Sequence, residues 1–172
     1  MPDADSYTIR PARPDEHDTF PAIERAAAAQ FRATAFAAMA DAPLASEHLD
    51  GAHDRAWVAV APGGEPVGFA IARRLDGAAH LHELDVHPAH ARRGLGRLLI
   101  EAVAAWARQE GLRAVTLTTF RDIPWNAPYY GRLGFRPLDD AELGPGLRAL
   151  RESETAVGLP SSDRLCMRLQ LA

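Results

Sequence analysis

From about Gly94 onward, apolar residues recur every three or four positions. Leu95, Leu98, Leu99, Val103 and Trp106 fall on one stripe, and Gly111 stops the pattern; this predicts a long helix with one buried face. The flanking segments have a different period. "AWVAVAP" and "PVGFAIARRL" are β-like runs separated by "PGGEP", a hairpin signal. "AHLHELDVHP" reads as a third strand of the same sheet, ending at Pro88, and "LRAVTLTTF" is a β-branched run after the helix. Strand, helix, strand over this length predicts a parallel pair joined by a right-handed crossover. "YTIRPA" reads as a short first strand, the alanine-rich stretch from Asp15 to about Ala40 as one or two helices, and "LASEHLD" as a loose extension of them. "APYYGRLGF" predicts a short helix ended near Gly134 with a strand from Phe135, and "DRLCMRLQL" a closing strand. The expected fold class is therefore α+β, an α/β sandwich with helices on both faces of one mixed sheet.

Composition narrows the chemistry. The chain has 172 residues, 47% of them hydrophobic, with no internal repeat or low-complexity linker. This fits one domain over residues 1–172 with a sizeable core. The net charge of −4 argues against nucleic acid or a membrane surface as partner. All 19 basic residues are arginine, which excludes a Schiff-base lysine and a phosphate-loop lysine. A single cysteine, Cys166, excludes an internal disulfide framework. No apolar run is long enough to span a bilayer, and the polar, acidic start is unlike a signal peptide. A cytoplasmic protein is expected, with a homodimer left open.

The junction "HPAHARRGLGRLL" places two glycines among three arginines at the helix start. The first N–H groups of a helix have no intrahelical partner, and with the helix dipole they attract anions. Glycine lets backbone approach a phosphate closely. The stretch reads as a pyrophosphate cradle; the alternative is an ordinary strand-to-helix turn with solvated arginines. A dinucleotide fingerprint would need glycine where Leu99 stands, and a phosphate loop would need lysine.

This stretch resembles the acyl-CoA signature of the GNAT family of N-acyltransferases, Arg/Gln-x-x-Gly-x-Gly/Ala at the start of the long helix. Here it is Ala91-Arg92-Arg93-Gly94-Leu95-Gly96, with Ala91 in place of the usual Arg or Gln. "NAPYYGRLGFRPL" is similar to the family's Tyr-x-x-x-Gly-Phe segment, here Tyr130, Gly134 and Phe135. Ile123 stands where the family commonly has asparagine, and Asn126 lies closer. "YTIRPARPDEHDTFPAIERA" resembles the family's first strand and helix, so the likeness extends to about Pro137. The resemblance implies a mixed sheet of about six to seven strands, acetyl-CoA as co-substrate, and a small-molecule or peptide amine as acceptor. It implies acyl-CoA contacts from Leu84, Asp85 and Val86, which pair with the pantetheine arm like an added strand. Further contacts are expected from Arg92, Arg93, Gly94, Leu95, Gly96, Arg97 and Asn126.

An alkyl ammonium has an ordinary pKa of about 10 and must lose a proton before attacking a thioester. Glu83, in the strand leading to the cradle, is the expected base, with His80, His82 and Asp85 as rivals; Asp85 shares a face with Glu83 under simple alternation. A backbone N–H in Leu84–Val86 would hold the oxyanion if a bulge left it unpaired. Tyr130 is the expected acid for the departing thiolate. His80, His82, His87 and His90 crowd one stretch, but without a helical His-Glu-x-x-His or paired cysteines no metal is expected. The early helices and the residues from Asp139 to Asp163, read as loops, would shape the acceptor pocket. The second reading is an acyl-CoA-binding sensor without turnover, which would need neither Tyr130 nor Glu83.

Overall fold

A computed structural model describes residues 6–172. The polar, acidic character read from the first five positions lies outside the described residues. The fold is α+β, a mixed seven-stranded sheet with four α-helices. In chain order the elements are β1 (Thr8–Pro11), α1 (Phe20–Ala28), β2 (Asp54–Val60), β3 (Pro66–Leu75), β4 (Ala78–Val86), α2 (Leu95–Gln109), β5 (Ala114–Phe120), α3 (Ala127–Arg132), β6 (Arg136–Pro137), α4 (Pro145–Ala156) and β7 (Arg164–Gln170). The strand order is β1-β2-β3-β4-β5-β7-β6. β4 and β5 are parallel, with Ala79 opposite Val115 and His80 opposite Thr116, so the predicted parallel pair, with α2 between its strands in the chain, is present. No helix among the described residues is long and apolar enough to cross a membrane.

The chain forms two compact units, one comprising residues up to Ala72 with Glu83–Val103, the other Arg73–His82 with Ala104–Ala172. In the first, Phe20 and Ile23 of α1 pack with Val58, Val60, Phe69 and Ile71. The Phe20 and Phe69 rings stack at 4.3 Å, and neither is exposed; burial of each ring contributes roughly 2–3 kcal/mol. In the second, Leu138, Leu147 and Cys166 form a cluster with Leu75, Leu143 and Leu150 against it.

Both hairpins follow from turn chemistry. Gly64 takes φ +94° between β2 and β3, where the Ala61 amide donates to Glu65 O. Between β3 and β4, Asp76 (φ +50°) and Gly77 (φ +73°) make a two-residue turn with both central residues left-handed.

Two expectations are corrected. The alanine-rich stretch carries one nine-residue helix, then short 3-10 turns at 29–33 and 37–41. Thr34 explains part of this: its hydroxyl donates to Phe31 O and accepts from the Phe36 amide, offering the backbone partners a helix would otherwise supply. Residues 139–163, read as loops, contain α4. Its start has proline at the first helical position, and its Gly146 and Leu147 amides donate to the Asp76 carboxylate. That cap comes from seventy positions earlier in the chain.

Candidate active site

In the first unit, the end of β4 and the start of α2 frame the glycine junction. After Val86, His87 accepts the Ala89 amide on its Nδ1, and a 3-10 turn covers Pro88–His90. φ is positive at Arg92 (+61°) and Gly94 (+74°), and not at Arg93 between them. Such alternation turns successive amides to one side and makes an anion-binding concavity. The Leu98 amide bonds Gly94 O, so the amides of Leu95, Gly96 and Arg97 precede the first intrahelical bond. Arg92, Arg93 and Arg97 are exposed. Arg93 lies over the Tyr7 ring at 5.5 Å, and the Tyr7 hydroxyl meets His90 Nδ1 at 2.9 Å. Arg97 pairs loosely with Glu101 at 3.3 Å.

The strand before the junction is bulged. The two-residue turn sets Leu75 opposite Ala78, which would place Val67 opposite Val86. The Val67 carbonyl instead accepts from His87. β4 therefore carries one residue more than β3 between these points, and a bulge leaves one residue of β4 outside the ladder. Gly68 permits the close approach: a Cβ there would lie 3.1 Å from Asp85 O and 3.2 Å from Val86 Cγ2.

Glu83 and Asp85 do share a face, as alternation predicted. Their carboxylate oxygens and that of Glu24, from α1, lie within 4.8 Å of one another. Glu24 is buried, and its oxygens accept the Ala45 amide (2.8 Å), the Ser46 amide (2.9 Å) and the Ser46 hydroxyl (2.5 Å). Asp85 Oδ2 is buried without a hydrogen-bond partner. Burial, then the neighbouring Glu83 and Glu24 carboxylates, hold the Asp85 carboxyl well above the usual carboxylate range.

The histidines divide. His80, in the second unit, is buried with Nδ1 3.1 Å from Thr116 Oγ1, and burial pushes its pKa down to about 3, with smaller contributions from His82 and Arg73. It is a neutral core residue. His82 is half-buried, and the His87 and His90 rings lie 6.2 Å apart. Among the described residues, those close enough to hold one cation are the three acids.

The second unit holds the remaining expected site residues. Tyr130 is buried on α3, its ring 5.6 Å from Phe135 and 5.4 Å from Tyr129. Its carbonyl accepts the Leu133 and Phe135 amides, and Gly134 at φ +96° turns the chain out of the helix. Asn126 donates to Trp125 O at 3.2 Å, while its Oδ1 is buried without a partner.

Glu24 and Ser46 were not singled out from the sequence. The available signal was an acid on the apolar stripe Phe20, Ile23, Ala27 of a helix: such a position buries a carboxylate, and a buried carboxylate needs donors.

Residues 20–135 match the family model described as "Acetyltransferase (GNAT) family". The chain belongs to the GNAT family. The same fold recurs in solved GNAT-type structures. The PaiA N-acetyltransferase from Thermoplasma acidophilum, solved with coenzyme A, is 15% identical over 96% of this chain and 99% of its own, with a TM-score of 0.71. The ribosomal-protein-S18-alanine N-acetyltransferase from Escherichia coli is 18% identical over 97% and 95%, with a TM-score of 0.67. A GNAT-family acetyltransferase from Staphylococcus aureus is 16% identical over 97% and 100%, with a TM-score of 0.69. These identities establish the shared GNAT fold. The donors for an acyl-CoA pyrophosphate, the amides of the Arg92–Arg97 segment, are present and free of helix bonding, so the residues fit the co-substrate that the family uses.

Proposed function

We propose that the chain is an N-acetyltransferase that moves an acetyl group from acetyl-CoA to a primary amine by direct attack within a ternary complex. The observation that carries this reading is the junction itself. A bulged strand bearing Glu83 runs into a segment with left-handed Arg92 and Gly94 and unsatisfied helix-start amides.

Each residue then has a task. The amides of Arg92 to Arg97 hold the pyrophosphate, with Arg92, Arg93 and Arg97 adding positive field. The Leu84–Val86 backbone pairs with the pantetheine arm, and the residue that the bulge leaves outside the ladder offers an N–H to the thioester oxygen. Glu83, directly or through water, accepts the proton that the acceptor ammonium must lose. Tyr130 gives a proton to the departing thiolate, and Asn126 lines the acyl-CoA side. No side chain carries the acyl group, so the amine nitrogen forms its bond to the acetyl carbon as the carbon–sulfur bond breaks.

The test is release of free CoA thiol across a panel of primary amines, run beside direct calorimetry of CoA binding. Thiol release that depends on an amine supports the transferase. Tight CoA binding with no thiol release on any amine would make the protein a sensor.

A further inference from the structure

Among the described residues, two that are not glycine adopt positive φ, Asp76 (+50°) and Arg92 (+61°). Asp76 has a local reason: it is the first central residue of a two-residue hairpin turn, and aspartate tolerates the left-handed region better than most residues. Arg92 has neither excuse. The turn before it is closed by the His90 amide on His87 O (2.8 Å) and the Ala91 amide on Pro88 O (3.2 Å), and α2 is bonded from Gly94 O onward. Arg92 lies between these two sets of bonds, and a non-glycine residue persists in such a conformation only where its surroundings hold it there. One side chain touches the chain on both sides of it. The Tyr7 hydroxyl meets His90 Nδ1 at 2.9 Å, with the two rings edge-on at 5.8 Å, and the Arg93 guanidinium lies over the same phenol ring at 5.5 Å. Tyr7 immediately precedes β1, which pairs with β2 from Thr8 opposite Val60, so its backbone is anchored to the sheet.

We propose that Tyr7 is a positioning residue for the Arg92–Arg97 segment: it holds His90 and Arg93 on either side of Arg92 and so keeps Arg92 left-handed before any ligand arrives. Its part in CoA binding rests on the acyl-CoA reading; the brace itself does not. Positive φ at Arg92 and Gly94, with Arg93 between them, is what turns the amides of this segment to one side. Were Arg92 to relax to negative φ in the free protein, binding would have to restore the strain, and affinity would fall accordingly. Tyr7 opposes that relaxation through two contacts of different kind. Its hydroxyl fixes the imidazole by a hydrogen bond. Its ring face holds the guanidinium by the attraction of a cation for an aromatic quadrupole. The two contacts can be removed separately.

The experiment is calorimetry of CoA binding to the whole protein, with hydrogen exchange on the ligand-free protein beside it. Tyr7→Ala removes both contacts, and Kd should rise about five- to thirtyfold, the penalty of a left-handed L-residue. Tyr7→Phe keeps the ring under Arg93 and should raise Kd about two- to tenfold, the worth of one hydrogen bond. In ligand-free Tyr7→Ala the His90 and Ala91 amides should exchange at least about twofold faster than in the parent. Glycine needs no support at positive φ, so in an Arg92→Gly background the loss caused by Tyr7→Ala should shrink to about twofold or less. Ile9→Ala, inside β1 and opposite Ala59, should lower the melting temperature and leave the CoA Kd within about twofold of the parent. A loss of affinity in Ile9→Ala equal to that in Tyr7→Ala would reduce Tyr7 to a structural part of β1 and overturn the role. So would a Tyr7→Phe Kd equal to the parent's, unchanged exchange in Tyr7→Ala, or a Tyr7→Ala loss as large in the Arg92→Gly background as in the parent. A parent protein that does not bind CoA, with exchange still responding to Tyr7→Ala, would fail the acyl-CoA reading and leave the brace standing.

Discussion

Gly94 provides a quantitative test of the cradle. Its φ is +74°, and a Cβ built there would meet nothing within 4 Å. Crowding is thus absent, and the whole cost of Gly94→Ala is conformational. An L-residue in the left-handed region costs about 1–2 kcal/mol. If alanine keeps the glycine conformation, stability falls by that amount, which for a chain of this length lowers the melting temperature by about 2–8 °C. If alanine escapes to negative φ, the free protein recovers the cost and ligand binding must restore the strain. The affinity loss is then bounded by the same 1–2 kcal/mol, about five- to thirtyfold in Kd. The two effects trade against each other, so their sum is fixed. Gly94→Asn should show a smaller total, because asparagine tolerates this region better. Gly51→Ala, at an exposed turn glycine with open space and no positive φ, should change neither quantity by more than about 0.5 kcal/mol. Calorimetric melting and CoA titration of the three variants supply both numbers. A Gly94→Ala protein that melts and binds CoA like the parent would refute the claim that the cradle needs this conformation.

Three further outcomes are expected. Tyr130→Phe should lower turnover by about 10²–10⁴-fold while CoA affinity stays near the parent value; single-turnover rates check this, and an unchanged chemical step would remove Tyr130 as the acid. Glu83→Gln should slow transfer most near neutral pH and recover partly as free amine becomes available at higher pH. Full rate in this variant together with a crippled Asp85→Asn or His82→Ala would move the base to that neighbour. Glu16 is buried, accepts two bonds from Arg10, and has its pKa lowered from 4.5 to about 2, chiefly by that guanidinium. A depressed carboxylate adds stability that is full above its unfolded pKa and is lost as pH falls through the folded one. Melting temperature should therefore drop between about pH 4.5 and pH 2 in the parent, with a shallower drop in Glu16→Gln.

The elements that the sequence made legible are those whose cause is local. α2 carries its own period: Leu95, Leu99 and Val103 are buried where that stripe placed them, and Leu98 and Trp106 are half-buried. β5 announces itself through β-branched residues, and the β2–β3 hairpin through "PGGEP". What could not be read has causes distant in the chain. α4 begins at a proline after glycine, a weak signal alone, and its first amides are capped by an aspartate in a hairpin turn seventy residues upstream. The 3-10 turns after α1 arise from a competition that composition does not resolve: alanine favours helix, while a single threonine hydroxyl diverts the backbone bonds of its neighbours.

The candidate site divides along the same line. The glycine junction was legible because glycine at a helix start is locally unfavourable and so calls for a reason, here a backbone with positive φ at Arg92 and Gly94. The pairing of Glu83 with Asp85 was legible because strand alternation puts two residues on one face. The raised pKa of Asp85 was not, since beyond burial and Glu83 it depends on Glu24, sixty-one positions earlier in α1. Glu24 in turn is tolerable inside only because Ser46 and the Ala45 and Ser46 amides supply its donors. Part of the upward push on the Asp85 carboxyl, after burial and Glu83, therefore comes from α1, whose Glu24 is held by the turn at 45–48. It follows that substitutions at Glu24 or Ser46 should alter the pH dependence of whatever Glu83 does, although neither residue lies in any recognisable motif.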